Sequence, residues 1–522
     1  VRVTAFSPQW RYGVIIGAAL ALLAAYLILN ASAAADAYVT FRVVDNAVHG
    51  YGLRWNIDER VQAFTHPLWM LLHIPFYALW ENIFWITTIL SVVCVLTALA
   101  VTLGTFRRSW QQGLALLIIP FGVSSTLSAS SMIGLENPLT HLLFALFGWS
   151  LFREGEKYFW FWITLYCALS MLNRLDTVVF YAPVMAWLAA RQWRSVRWKQ
   201  CLLGSLPIIA WEIFSVIYYG FLLPNTAYAK LPGGMLDIDS LHQGLRYVLN
   251  LMALDPTSAA FMVAVPLLLG YRWLRRRPAD PRIIALACGV WCYIFYVIDV
   301  GGTYIAERLL SLPVFASLWI IYGMAKPPAF KGRPWLWLLG ELLLAIRLFY
   351  PSIDTLKTVC PPCFAGDIAY KWFVVTVSGF PADPHTHKQE PLPHAGRDKG
   401  HWASAFSGIG FGAFTIGPGI FAINPFGFTD PLLARLPNTG ASMSDSSLWH
   451  LLRPIPDGYV EAMQSGSMKK MDPSLAEYYG KLHLIIAGDL WSAKRWETII
   501  RFNLGQYDYL RDDYVATHPV KK

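Results

Sequence analysis

The 522-residue chain is 56% hydrophobic and only 14% charged, with a formal net charge of +9, whereas soluble domains carry about a quarter charged residues. Its apolar residues gather into runs of about 17–22, the length that crosses a hydrocarbon core of about 30 Å. That excludes a soluble enzyme, and it turns the basic excess from a nucleic-acid signal into a topological one.

The first apolar run, near residues 13–31, follows Arg2 and Arg11 and ends in "ASAAA", which has the look of a signal-peptidase site. The run is longer than a secretory h-region of about 7–15 residues, and further spans follow, so a retained anchor is expected. A loop then carries a lone acid, Asp36, with Arg42 shortly after it. The stretch 64–80 is too short and too polar at its flanks to span. It is expected to be an interfacial, juxtamembrane helix with Trp69, Tyr77 and Trp80 at headgroup level. Further spans are expected near 83–105, 113–129, 138–152, 158–172, 178–190, 202–220, 258–271, 283–299, 309–325 and 335–350, which makes about eleven in all.

Basic residues test this placement. With the N-terminus inside, the inner loops hold Arg107 and Arg108, then Arg191, Arg194, Arg197 and Lys199, then Arg272, Arg275, Arg276, Arg277 and Arg282, then Lys326, Lys331 and Arg333. Outer loops hold only scattered ones. Making 64–80 a full span would invert every later loop and send "RWLRRR" outside, against the positive-inside rule.

Beyond Tyr350 the chain turns rich in Pro, Gly, His and charge, so residues 351–522 are expected to form an extracytoplasmic α/β domain after a transmembrane domain over 1–350. "GFGAFTIGPGIFAIN" alternates like strand, and "DPSLAEYYGKLHLIIAGDL" repeats like an amphipathic helix. Five of the seven cysteines sit in apolar runs as small hydrophobes. Cys360 and Cys363 form "CPPC", expected as a structural disulfide or two free thiols. The histidines of "PHTHKQEPLPHAGRDKGH" lack a carboxylate or cysteine framework, so a polar loop is expected there rather than a metal site.

On this topology the unusual polar blocks share the outer face: "DAYVTFR", "GLENP", "NRLD", "LPNTAYAK" and "GGTYIAER". Polar groups at membrane depth are costly and tend to line cavities. Arg42, Arg174, Lys230 and Arg308 suit a phosphate clamp, and Asp36 suits proton removal from an acceptor hydroxyl. A phosphate leaving group held by fixed cations needs no dedicated general acid, so the paired carboxylates of glycosidases are not required. Each residue also has a structural alternative: Arg174 with Asp176 as helix-end neighbours, Glu307 with Arg308 as an ion pair, Glu136 as a cap, Arg42 as a snorkelling anchor. Glu212, inside an apolar run, ranks below these. A transporter or flippase of a lipid-linked sugar, or an inactive glycan-binding envelope protein, is the competing class, but no internal repeat supports transport.

The block "DAYVTFRVVDNAVHGYGLRWNIDERVQAFTHPLWMLL", with "GLENPL", "LLPNTAYAKL", "GFTDPLLARLP" and "RPIPDGYVE", resembles the mycobacterial terminal arabinofuranosyltransferases. Their relatives include pilin arabinosyltransferases, and they belong to the GT-C superfamily of membrane glycosyltransferases. The resemblance implies a bacterial plasma-membrane enzyme with decaprenyl- or undecaprenyl-phosphoryl-arabinofuranose as donor. It implies a glycan or protein acceptor, and transfer on the extracytoplasmic face; a divalent metal is left open and nucleic acid is not expected. Asp36 is then the catalytic acid/base candidate, with Arg42, His66, Glu136, Arg174, Asp176, Asn225, Lys230, Glu307 and Arg308 as donor-phosphate or substrate-binding candidates. Two positions depart from the family pattern: Ala35 stands where the first of two adjacent acids is usual, and Thr303 where an acid tends to follow the glycine pair.

Overall fold

Aspartate followed by proline opens three of the helices, and the reason is local. Asp255, Asp280 and Asp472 each accept hydrogen bonds from backbone N–H groups of the turn that follows, while Pro256, Pro281 and Pro473 fill a first position that needs no N–H. The computed structural model describes residues 8–230, 238–303, 305, 308–324, 402–405, 410–415, 417–439 and 451–519. The helices are α1 (Pro8–Leu29), α2 (Ala35–Val48), α3 (Pro67–Leu79), α4 (Ile83–Phe106), α5 (Trp110–Gly113), α6 (Ile119–Val123), α7 (Ser125–Ser128), α8 (Asn137–Leu151), α9 (Phe159–Asn173), α10 (Val178–Gln192), α11 (Trp198–Tyr218), α12 (Asn225–Lys230), α13 (Ile238–Leu254), α14 (Pro256–Leu274), α15 (Pro281–Asp299) and α16 (Ser311–Met324). After them come α17 (Phe411–Thr415), α18 (Tyr459–Ser465), α19 (Pro473–Ala487), α20 (Ala493–Asn503) and α21 (Asp508–Thr517).

The chain divides into two compact units. One comprises 1–32, 87–207 and 238–367, the other 33–86, 208–237 and 368–522. This differs from a single boundary near residue 350: the first loop after α1 and the segment 208–237 pack with the C-terminal residues.

In the first unit α16 is buried nearly all round, from Ser311 to Ile320, so it is the central helix. Phe144, Phe147 and Phe180 belong to the same core as its Phe315 and Trp319, and the Phe144 ring lies 5.9 and 5.8 Å from those two rings. Glycine permits the closest approaches: a Cβ on Gly148 would lie 2.6 Å from the Trp319 ring, and one on Gly204 would lie 2.7 Å from the Phe161 carbonyl. Four helices among the described residues are long and apolar enough to cross a membrane: α4, α11, α14 and α15. A fifth crossing results if the segments from Trp110 to Met132, bent by 76°, count as one span. The break falls at Ser124, whose hydroxyl caps α7 and shares the buried Asp255 carboxylate with Thr126 and Ser258. Leu202, Leu203, Leu206 and Ile213 on α11 and Leu267 on α14 are exposed, as lipid-facing side chains are. The protein is thus mostly helical with several apolar helices of membrane type. The run at 335–350 lies outside the described residues, as do "CPPC" and the histidine-rich stretch.

The second unit places α2, α3, α12 and α17–α21 around a core of Leu432, Leu433, Tyr459, Tyr478, Tyr479, Leu482 and Ile485. Its described sheet is one parallel pair, β1 (Trp402–Ala405) with β2 (Ile420–Ile423), in which Trp402 faces Ile420 and Ala405 faces Ile423. The alternating stretch 410–424 therefore yields helix α17 first and strand β2 after it, because Gly417 at φ +76° turns the chain between them. The amphipathic stretch expected near the C-terminus forms α19.

Candidate active site

Asp36 lies in the first turn of α2 and is half-buried, where the positive end of the helix favours a carboxylate. The residues that wall this turn come from far along the chain. Tyr38 packs edge-on against Phe41 and Phe411, with ring centroids 5.4 and 5.2 Å apart. Gly410 sits so close that a Cβ there would lie 2.0 Å from the Ala35 carbonyl oxygen. One helical turn below Asp36, the Thr40 hydroxyl meets His66 Nε2 at 2.6 Å, and both groups are buried.

Arg42 serves the backbone. Its Nε donates to the Trp55 carbonyl at 3.0 Å, one terminal nitrogen to Ala413 at 2.5 Å and the other to Ile420 at 3.0 Å. The guanidinium also lies 4.7 Å from the Trp55 ring centroid. Burial pushes its pKa down to about 10, with Asp45 opposing. All three faces of the fork are occupied by carbonyls, so in this structure it clamps the loop rather than facing a phosphate. Asn225 is used in the same way, its amide donating to the carbonyls of Gly427, Phe428 and Asp430. Lys230, at the end of α12, holds its ammonium 5.2 Å from the Phe428 ring centroid.

The remaining candidates belong to the first unit. Glu136, fully buried, accepts from Arg174 at 2.7 Å and from one Arg308 nitrogen at 3.1 Å to each carboxylate oxygen. Arg174 also forms a two-point pair with Asp176. Asn173 ties the same corner to the Glu136 carbonyl and the Thr140 hydroxyl. Two arginines and two carboxylates thus neutralise one another. Anion binding here would have to displace Glu136 from its bidentate contact. Glu307 lies outside the described residues.

Several buried charged groups of the second unit carried no assignment from the sequence. Arg453 donates to the carbonyls of Leu436, Phe426 and Ala229. Asp430 caps the turn at Leu433 and accepts from the Tyr459 hydroxyl at 3.0 Å. Burial pushes the Asp430 carboxyl up to about 6, those hydrogen bonds opposing. Glu59, held by Asn56 at 3.1 Å, is pushed up by burial and then by the Asp430 charge. Their signal was the polar blocks "GFTDP" and "RPIPDGY", which quote Asp430 and Arg453 without disclosing a function. Among the described residues no group of three or more His, Cys, Asp or Glu side chains is placed to hold a metal ion.

No protein-family profile and no solved structure matches the chain. It is 26% identical over 325 residues to a terminal β-(1→2)-arabinofuranosyltransferase of Mycobacterium tuberculosis, covering 54% of this chain and 51% of the relative. It is 26% identical over 329 residues to the protein of that name from Corynebacterium glutamicum, covering 54% of this chain and 46% of the relative. The chain spans about half the length of these relatives. By sequence, then, this protein is similar to terminal arabinofuranosyltransferases from a mycobacterium and a corynebacterium.

Proposed function

We propose that the protein is a membrane glycosyltransferase that moves a D-arabinofuranosyl group from a polyprenyl-phosphate donor to a hydroxyl of an envelope glycan or pilin-type protein, on the extracytoplasmic face of the bacterial plasma membrane. The similarity to two arabinofuranosyltransferases carries this reading, and the apolar helices support it by suiting a lipid-borne donor. Asp36 takes the proton of the acceptor hydroxyl as that oxygen bonds to the anomeric carbon. The bond from that carbon to the phosphate oxygen breaks, and its electron pair leaves with the phosphate. Lys230, half-buried at the end of a helix, is the phosphate contact in the unit that holds Asp36. The Glu136–Arg174–Asp176–Arg308 cluster braces its own unit.

The test uses the full chain in liposomes with a radiolabelled polyprenyl-phosphoryl-arabinofuranose and an arabinan acceptor. Label is expected to enter the acceptor, and Asp36→Asn is expected to lower the rate by about 10²–10⁴-fold while leaving the thermal unfolding profile in place. Movement of donor across the bilayer without transfer would make the protein a transporter. Full turnover by Asp36→Asn would remove the acid from the chemistry.

A further inference from the structure

A carboxylate that takes a proton in each cycle has to lose it before the next, and the wall around Asp36 has one feature suited to that. We infer that Thr40 and His66 form a proton path leading away from Asp36. The inference rests on the glycosyltransferase reading for its chemistry and on geometry for its route.

Asp36 and Thr40 are four residues apart on α2, so their side chains share one face, with Cβ atoms about 5–6 Å apart. The Thr40 hydroxyl meets His66 Nε2 at 2.6 Å, and Thr40 and His66 are only 1% and 3% exposed. His66 is held from behind as the residue preceding α3, with Pro67 fixing the backbone after it. Its Nδ1 faces the Thr65 hydroxyl at 3.5 Å. With the ring proton on Nδ1, Nε2 is the acceptor and the Thr40 hydroxyl donates to it.

The proton balance closes. The acceptor hydroxyl gives its proton to Asp36; Asp36 passes a proton to the Thr40 oxygen as the Thr40 hydrogen moves to His66 Nε2. Asp36 is again a carboxylate; the imidazolium releases its Nδ1 proton to water past the Thr65 hydroxyl, and a tautomer exchange through water returns the ring proton to Nδ1 before the next cycle. Beside His66, from α2 comes Thr40, the titratable or charged residues of that helix being Asp36, Tyr38, Arg42 and Asp45. From α3 comes His73, whose Nδ1 is engaged with the Trp69 carbonyl. The segment 410–415 that packs on α2 has no titratable side chain. Thr40 and His66 are positioning residues, because neither is argued to touch the reacting atoms.

The experiment is a titration of His66 in the ¹⁵N-histidine-labelled full chain in nanodiscs, its resonance identified by loss in His66→Gln. Asp36→Asn is expected to lower the His66 pKa by about one unit or more, since a nearby carboxylate favours the imidazolium. In a Thr40→Val background the same substitution is expected to have a smaller effect, with Thr40→Ser restoring it. In the transfer assay Thr40→Val is expected to lower kcat about tenfold, at unchanged donor KM, and to move the acidic limb of the pH–rate profile. A His66 pKa that ignores Asp36→Asn overturns the path. The titration needs no turnover, so an absence of transfer by the unmodified protein would sink the glycosyltransferase reading while the His66 result still decides the path.

Discussion

Arg42 shows how far a residue's type can mislead about its task. An arginine six positions after a lone acid reads as an anion clamp, but each of its three guanidinium nitrogens donates to a carbonyl, 13, 371 and 378 residues away. No side-chain pattern marks a carbonyl as a partner, so this role was invisible in the chain. The Thr40–His66 contact was hidden for a similar reason: 26 residues separate the two, and the sequence singled out His66 as a substrate-binding candidate but not Thr40 as its partner. Asp36 stood out as a candidate because a single carboxylate is conspicuous where an apolar run ends. Replacing Arg42 with Met takes the guanidinium donor from the Ala413 and Ile420 carbonyls and leaves the Trp55 carbonyl to the Asn46 amide alone, at about 1–3 kcal/mol for each acceptor left unmet. A loss on the order of 3 kcal/mol is expected, read as a lowered midpoint in thermal unfolding followed by Trp fluorescence. Arg42→Lys should fall between, since one ammonium cannot reach all three carbonyls in fork geometry. An unchanged midpoint in the Met variant would mean that water replaces the guanidinium.

At the level of elements the chain was more readable. The apolar runs expected before residue 330 coincide with helices, and Asp-Pro pairs mark the starts of α14, α15 and α19. The span near 113–129 was legible as an apolar run but not as a broken one, because the bend at Ser124 depends on Asp255, 131 residues away. The same applies to the turn at Leu433 that Asp430 caps. Its carboxyl, raised by burial to about 6 from an ordinary 3.8, binds more protons in the folded than in the unfolded chain between those values. Stability therefore falls as pH rises through roughly 4 to 6, and the cost is complete above that window. Glu59, also pushed up by burial, acts in the same direction. Asp430→Asn keeps an oxygen for the cap and is expected to flatten this dependence, measured as unfolding midpoints at pH 4.5, 5.5 and 7. An equally steep profile in the variant would place the proton linkage elsewhere.

For the molecule as a whole, the change in composition along the chain and the division into compact units do not coincide. A cut near residue 350 follows the change in composition, but the compact units follow packing, and residues 33–86 join the C-terminal residues. Hydropathy cannot register such an exchange, since a loop's composition does not name its partner. The basic loops after α10 and α14 make a testable statement about orientation. Alkaline phosphatase fused after Arg276 is expected to be inactive, and fused after Lys522 to be active; the reverse would invert the topology. The three-carbonyl grip of Arg42 also has a meaning in time. Its partners at 413 and 420 are translated 371 and 378 residues later, which at about 5–20 residues per second is a wait of roughly 20–75 s. Throughout that interval α2 has already emerged with its acid but without its clamp. The first loop therefore gains its clamp only after residues 413 and 420 have been made.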